Sequence, residues 1–95
     1  MNAANLLALV MRKQNLTSYR QIGTEMGVSG RNVAGWARDA FSPTDQHIVE
    51  LCRLAGEDPA EWIVSIRFNN ASPQARTAWA KIYTAVTDSN RAPLT

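Results

Sequence analysis

Residues 17–36, TSYRQIGTEMGVSGRNVAGW, constrain the fold of this chain more than any other stretch. Their apolar side chains recur at the three- and four-residue spacing of helix faces, at Ile22, Met26, Val33 and Trp36. Gly27 stands where the first of two short helices must end, because glycine takes the left-handed conformation there at least cost. Ser29 can then accept from free backbone N–H groups as the N-cap of the second helix. The spacing predicts a helix-turn-helix, which in DNA-binding proteins presents its second helix to the major groove.

These twenty residues resemble the helix-turn-helix of phage repressors and Cro proteins, the Xre-type family. Its pattern is a small residue in the first helix, glycine four later, valine or isoleucine six beyond, and often tryptophan three later. The matching residues are Gly23, Gly27, Val33 and Trp36, although alanine is the commoner residue where Gly23 stands. The run SPTDQHIVELCRLAGEDPAEW also resembles the continuation in small phage-related regulators, so the likeness covers roughly residues 3–69. The resemblance implies a lambda-repressor-like domain that regulates transcription.

The composition fits one small globular domain over residues 1–95, with 45% hydrophobic residues and a net charge of +2. Residues 1–41 carry five basic and two acidic side chains, whereas residues 42–95 carry five basic and six acidic ones. The basic excess therefore lies in the half that holds the predicted helix-turn-helix, as a phosphate-facing surface requires. The single cysteine, Cys52, excludes an internal disulfide and fits a reducing cytoplasm.

The rest of the chain is predicted to be helical as well, giving an all-α bundle of five to six helices. Helices are expected at about 3–14, 19–26 and 30–38, from Ser42–Pro43 to Gly56, and at about 59–69 and 73–87. The expected inward side chains outside the helix-turn-helix are Leu6, Leu7, Val10, Met11, Ile48, Leu51, Cys52, Ala55, Trp62, Ile63, Ile66, Ala75, Trp79, Ile82 and Val86. The tail after Asp88 is expected to fray.

Alternative chemistries find little support in the sequence. The three tryptophans, Trp36, Trp62 and Trp79, lie on apolar stripes and are expected to be core aromatics. His47 and Cys52 are five apart, which is not the spacing of two ligands on one helix face, and two residues do not complete a zinc site. No nucleophile–base arrangement or phosphate-binding glycine loop is present, so we predict no enzyme, cofactor or metal.

The second helix of the motif supplies the predicted DNA contacts. Its first turn and outward side reach base edges in a docked complex, and the candidates are Ser29, Gly30, Arg31, Asn32, Ala34 and Gly35. Arg31 is the strongest candidate, because its planar guanidinium pairs with both acceptors of guanine for about 1–3 kcal/mol of discrimination. Phosphate contacts are expected from the start of the first helix and the end of the second, at Tyr19, Arg20, Gln21 and Arg38.

Gly30 and Gly35 are unusual in a helix that is expected to read an operator, since each glycine inside a helix lowers its stability by about 0.5–1 kcal/mol relative to alanine. Three explanations are open. A bare helix sinks further into the groove, where Ala34 meets a thymine methyl; specificity is modest and comes from Arg31 and DNA shape; or this helix no longer reads DNA.

The two C-terminal helices, about residues 59–87, are predicted either to enlarge the core or to form a dimer interface that spaces two recognition helices one DNA turn apart. The interface hypothesis is a homodimer held partly through these two helices, with Phe68, Tyr83 and exposed parts of the Trp62 and Trp79 region as candidates. The function predicted from the sequence is therefore a cytoplasmic regulator that binds double-stranded operator DNA as a dimer and represses by occluding a promoter. The alternative is a protein-binding module on the same scaffold that inhibits or adapts a host protein.

Overall fold

The computed structural model describes residues 1–91, and the side chains through residue 89. This part of the chain contains six helices. They are α1 (Ala3–Gln14), α2 (Tyr19–Met26), α3 (Gly30–Ala37), α4 (Asp45–Ala55), α5 (Pro59–Asn70) and α6 (Pro73–Arg91). None of the described residues forms a strand, and the predicted all-α helical bundle is confirmed. No helix within this range combines the length and the apolar character needed to cross a bilayer.

The helices begin and end where short-range backbone chemistry places them. Each N-terminus has a side-chain cap that accepts from a free N–H group, the caps being Asn2, Ser18, Ser29, Thr44, Asp58 and Ser72. The first four helices are each followed by a residue with positive φ, namely Asn15, Gly27, Asp39 and Gly56. This left-handed residue turns the chain and lets the next N–H groups bond to the last carbonyls of the helix. Local sequence therefore sets most of the helix boundaries.

The start of α4 differs from the prediction, because the expected start at Ser42–Pro43 is wrong. Thr44 is the N-cap, and its Oγ1 accepts from the backbone N–H of His47 at 3.1 Å. Pro43 precedes the helix and is buried, while its carbonyl accepts a 3.2 Å hydrogen bond from Arg67 of α5. A contact with a distant helix thus holds Pro43 in the connecting segment.

The core lies where α1 packs on α4, α4 on α5, and the α2–α3 pair on α1. Its buried apolar residues are Ala3, Leu6, Leu7, Val10, Ile22, Val33, Trp36, Ile48, Leu51, Cys52, Leu54, Ala55, Trp62 and Ile66. Trp36 and Trp62 are buried as predicted, whereas Met11 and Ile63 are half-buried against the cluster. Burial raises the pKa of the Cys52 thiol to about 12, with Glu57 and Asp58 adding to the shift. Cys52 therefore belongs to the core as a small apolar side chain.

Helix α6 packs chiefly on α5, and its predicted inward stripe is only partly covered. Among the described side chains of this helix, residues 73–89, Thr87 is the buried one, while Trp79 and Val86 are half-buried and Ile82 is 45% exposed. A helix with one principal neighbour buries a narrow strip, so the predicted burial of Ile82 is wrong. The helix also continues past Asp88 to Arg91, where fraying was predicted. The remainder of that predicted tail, residues 92–95, lies outside the described residues.

Candidate nucleic-acid interface

Helices α2 and α3 form a helix-turn-helix with a three-residue turn, residues 27–29. Gly27 has φ +73°, and the backbone N–H of Val28 donates to the carbonyl of Gly23 at 2.9 Å. The Oγ of Ser29 accepts from the backbone N–H of Asn32 at 3.1 Å, so the predicted turn and N-cap are confirmed. This short turn fixes the angle at which α3 leaves α2.

Two glycines bring the helices of the motif into close contact. A methyl group added at Gly23 would lie 2.5 Å from the backbone oxygen of Val28 and 3.1 Å from the backbone nitrogen of Gly30. One added at Gly30 would lie 2.9 Å from the Cα of Arg20. The absence of a side chain at Gly30 is thus required inside the protein, by the approach of α2. This internal requirement was not among the explanations that the sequence suggested for that glycine.

The outward face of α3 consists of Arg31, Ala34 and Gly35 together with the C-cap residue of the helix, Arg38, at the i, i+3, i+4, i+7 spacing of one helix side. Arg31 and Arg38 are exposed and Ala34 is half-buried. Val33 and Trp36, on the opposite side, are 0% and 2% exposed and fix the helix to the core. The helix is therefore held rigidly from behind, with an arginine at each end of its outward face. Ser29 and Asn32, the other predicted base-contacting side chains, are exposed beside it.

Gly35 does not present an open backbone to a ligand, although the sequence placed it among the base-contacting residues. It is buried, and a methyl group added there would overlap the Cε1 and Cζ atoms of the Phe41 ring. Phe41, which follows α3, folds back over Gly35 and is itself 48% exposed. We therefore do not retain Gly35 as a base-contacting candidate, because an aromatic ring from another part of the chain covers it.

The segment that carries Phe41, residues 38–44 (the α3–α4 loop), is fixed at both ends. At the α3 end, the N–H of Ala40 donates to the carbonyl of Gly35 at 3.0 Å while Asp39 has φ +57°. At the α4 end, Arg67 donates to Ser42 Oγ at 2.8 Å and to the Pro43 carbonyl at 3.2 Å. Arg67 also forms an ion pair with Asp45 at 2.6 Å, and Asn70 donates to Ser42 Oγ at 3.2 Å.

Sequence reasoning singled out neither Phe41 nor Arg67. The one local signal for Phe41 was an interior helical glycine followed six residues later by an aromatic residue outside every predicted helix. Nothing in the sequence pairs Arg67 with a loop more than twenty residues earlier in the chain.

The start of α2 supplies the predicted phosphate-contacting residues. Arg20 is exposed, and its backbone lies against Gly30, so the N-termini of α2 and α3 adjoin. Tyr19 is half-buried against the core. The side-chain oxygen of Gln21 accepts from the backbone N–H groups of Thr17 and Ser18 at 2.6 and 3.1 Å. Gln21 is therefore committed through its oxygen to capping α2 and retains its amide group as a donor.

The electrostatic contrast between the two halves of the chain extends to ion pairing. Both ion pairs among the described residues use arginines of the second half, Arg53 with Glu50 and Arg67 with Asp45. The hydrogen bond from Arg53 lowers the pKa of the half-buried Glu50 carboxyl. None of the five basic side chains in residues 1–41 forms an ion pair within the described part of the chain. Among the described residues, Arg20, Arg31 and Arg38 thus have no counter-ion to compete with a phosphate, although Arg38 Nε donates to the Ala34 carbonyl at 3.3 Å.

The site contains no other evident chemistry in the described residues, where no three His, Cys, Asp or Glu side chains are grouped to hold a metal ion. No family model matches the chain, and no match was found among curated proteins or solved structures.

Proposed function

We propose that this chain is a sequence-specific regulator of transcription that binds double-stranded DNA and resembles the phage repressor/Cro class. The observation that carries the proposal is the outward face of α3, which has at each end an exposed arginine without an ion pair in the described part of the chain, on a helix anchored by Val33 and Trp36. Arg31 would read a base edge in the major groove, and Arg38 would contact phosphate. Occupancy of a promoter by this compact domain would repress transcription by excluding the polymerase.

The start of α2 supports the same docking mode. Helix N-termini carry free N–H groups and partial positive charge, which favour phosphate. Arg20 adds a full charge beside the first turn of α3, because its backbone contacts Gly30. One helix end and two arginines would therefore hold the DNA backbone on either side of the groove that receives Arg31.

A dimer is part of the proposal, because one helix with a single base-reading arginine binds weakly and a second half-site multiplies the affinity. Three of the four residues first considered for the interface are engaged within the chain: Trp62 is buried, and the Phe68 and Tyr83 rings stack with centroids 6.2 Å apart. The uncovered side of α6 is the better candidate, with Ile82 exposed beside the half-buried Trp79 and Val86. Sedimentation equilibrium is expected to give a dimer at micromolar concentration. A monomer at high micromolar concentration would remove this part of the proposal.

A protein-binding module is the second candidate function. Two observations favour it, the half-exposed apolar ring of Phe41 on the outward face of α3 and the exposed Ile82 on α6. Both are side chains that a host protein could bury. Salt separates the candidates, because phosphate contacts weaken steeply as salt rises whereas an apolar interface changes little.

Replacing Arg31 with alanine tests the proposed function. The wild-type chain is titrated against duplex DNA from upstream of its own coding region and against random duplex, and Arg31→Ala is expected to weaken the preferred complex by about 1–3 kcal/mol. Lys81→Ala is the matched control, because it removes one exposed positive charge from α6. Equal affinity of the Arg31 and Lys81 variants, with no preference between the two DNAs, would contradict base reading by α3.

A further inference from the structure

Phe41 occupies the place of a missing side chain on α3. Gly35 lies in the middle of the outward face, between Arg31 one turn earlier and Arg38 one turn later. The ring of Phe41 covers this position and leaves 48% of the residue exposed. The outward face of α3 thus presents an aromatic ring between two arginines, although the aromatic residue belongs to the α3–α4 loop.

The ring is held by a fixed segment. Backbone hydrogen bonds tie the start of the α3–α4 loop to α3, and Arg67 with Asn70 tie its end to α5. Pro43, two residues after Phe41, is buried in the protein. An exposed apolar side chain on a fixed backbone loses little conformational freedom on binding, which makes it a better contact than a residue on a mobile tail.

An apolar ring on a groove-facing surface has one obvious chemical partner in DNA. The thymine 5-methyl group is the apolar feature of the major-groove edge, and phenylalanine is among the side chains that contact it. The flanking arginines can donate hydrogen bonds to acceptor atoms of the bases and to phosphates, whereas the phenyl ring cannot. The two kinds of side chain would therefore read different features of the same groove.

We propose that Phe41 is a specificity-determining residue whose ring, seated on Gly35, contacts thymine methyl groups in the major groove of the bound DNA. This inference rests on the proposed DNA-binding function and adds a base-reading side chain from outside α3. It also assigns a role to Gly35, which makes room for the ring.

The test compares thymine with uracil, which lacks only the 5-methyl group. The wild-type chain and Phe41→Ala are each titrated against its preferred duplex and against the same duplex with every thymine replaced by deoxyuridine. The wild type is expected to lose about fourfold in affinity for each contacted methyl group, the equivalent of burying one methylene. Phe41→Ala is expected to bind the thymine duplex correspondingly more weakly and to lose most of the discrimination against deoxyuridine.

Two further variants separate the ring contact from general effects. Gly35→Ala places a methyl group where the far end of the ring lies, so it displaces Phe41 and is expected to reproduce the loss of discrimination. Val49→Ala shortens another exposed apolar residue, 39% exposed on α4, and is expected to bind like the wild type. Thermal unfolding of each variant confirms that a folded protein is being compared.

The outcomes separate this inference from the function on which it rests. Wild-type binding that is salt-sensitive and sequence-preferring, with unchanged thymine discrimination in Phe41→Ala, overturns the inference and leaves the proposed function standing. Tighter binding by Phe41→Ala also overturns it, because the ring would then shield the face of α3. A wild-type chain without sequence-preferring, salt-sensitive DNA binding overturns both.

Discussion

Replacing Trp36 with alanine is expected to lower the free energy of unfolding by about 3–5 kcal/mol, the usual loss for a fully buried tryptophan. Trp36 is 2% exposed, and its ring lies 4.9 Å from the His47 ring between centroids, so it joins α3 to α4. Its removal leaves a cavity that a helix held from both sides cannot readily close. A domain of this size has roughly 5–14 kcal/mol of total stability, so the variant would lose a large part of it. Chemical denaturation followed by circular dichroism measures the change.

Trp79→Ala is the matched control for that experiment. Trp79 is half-buried on α6, whose principal neighbour is α5, so its truncation leaves an open surface instead of an enclosed cavity. The expected loss is about 1–2 kcal/mol. Equal losses for the two tryptophans would show that α3 is not anchored through Trp36 as described. The rigid presentation of its outward face would then lose its physical basis.

Replacing Gly23 with alanine is expected to lower the free energy of unfolding by about 1–3 kcal/mol through overpacking. The new methyl group would meet backbone atoms of Val28 and Gly30, and backbone cannot rotate away as a side chain does. The substitution is informative because alanine is the commoner residue here in the family that the motif resembles. Relief of the clash requires α3 to move away from α2, so the DNA affinity is expected to fall as well. Thermal unfolding and a DNA titration of the same sample measure both effects.

Gly35→Ala serves as the control for glycine replacement within a short helix. Its methyl group meets the far end of the Phe41 side chain, which can swing aside. Alanine is favoured over glycine inside a helix by about 0.5–1 kcal/mol, so the stability is expected to stay level or rise. If Gly23→Ala proved as stable as Gly35→Ala, the close approach of α2 and α3 would not be a constraint on this fold.

The helix boundaries that the sequence predicted well are those set by neighbouring residues. Ser18 and Gly27 cap the two ends of α2, and Asp58 caps the start of α5, because capping needs groups only two or three positions away. The predicted start of α4 was wrong because a second local signal, the Thr44 cap that accepts from His47, lies two residues after Ser42; the contact that holds Pro43 outside the helix, with Arg67, is visible only in the structure. The exposure of Ile82 was missed because periodicity marks an apolar stripe without telling how much of it a neighbour covers.

The features of the candidate site also fall into two groups, those that local sequence determines and those that depend on tertiary packing. The exposure of Arg31 and Arg38 followed from helical periodicity once Val33 and Trp36 were placed inward. The reason for Gly30 depends on the distance between two helices, and the reason for Gly35 depends on where the α3–α4 loop folds. Neither the distance between the helices nor the position of the loop can be predicted from the residues around those glycines. Phe41 therefore emerged only from the packed structure.

The salt dependence of DNA binding tests the central claim most directly. With Arg20 and Arg38 each neutralising one phosphate, the logarithm of the binding constant should fall against the logarithm of salt with a slope of about −2 for one copy. Two copies on a palindromic site should give a slope of about −4. Fluorescence anisotropy of a labelled duplex between low and physiological salt measures this slope. A slope near zero, or no binding at low salt, would contradict a DNA-binding function for the outward face of α3.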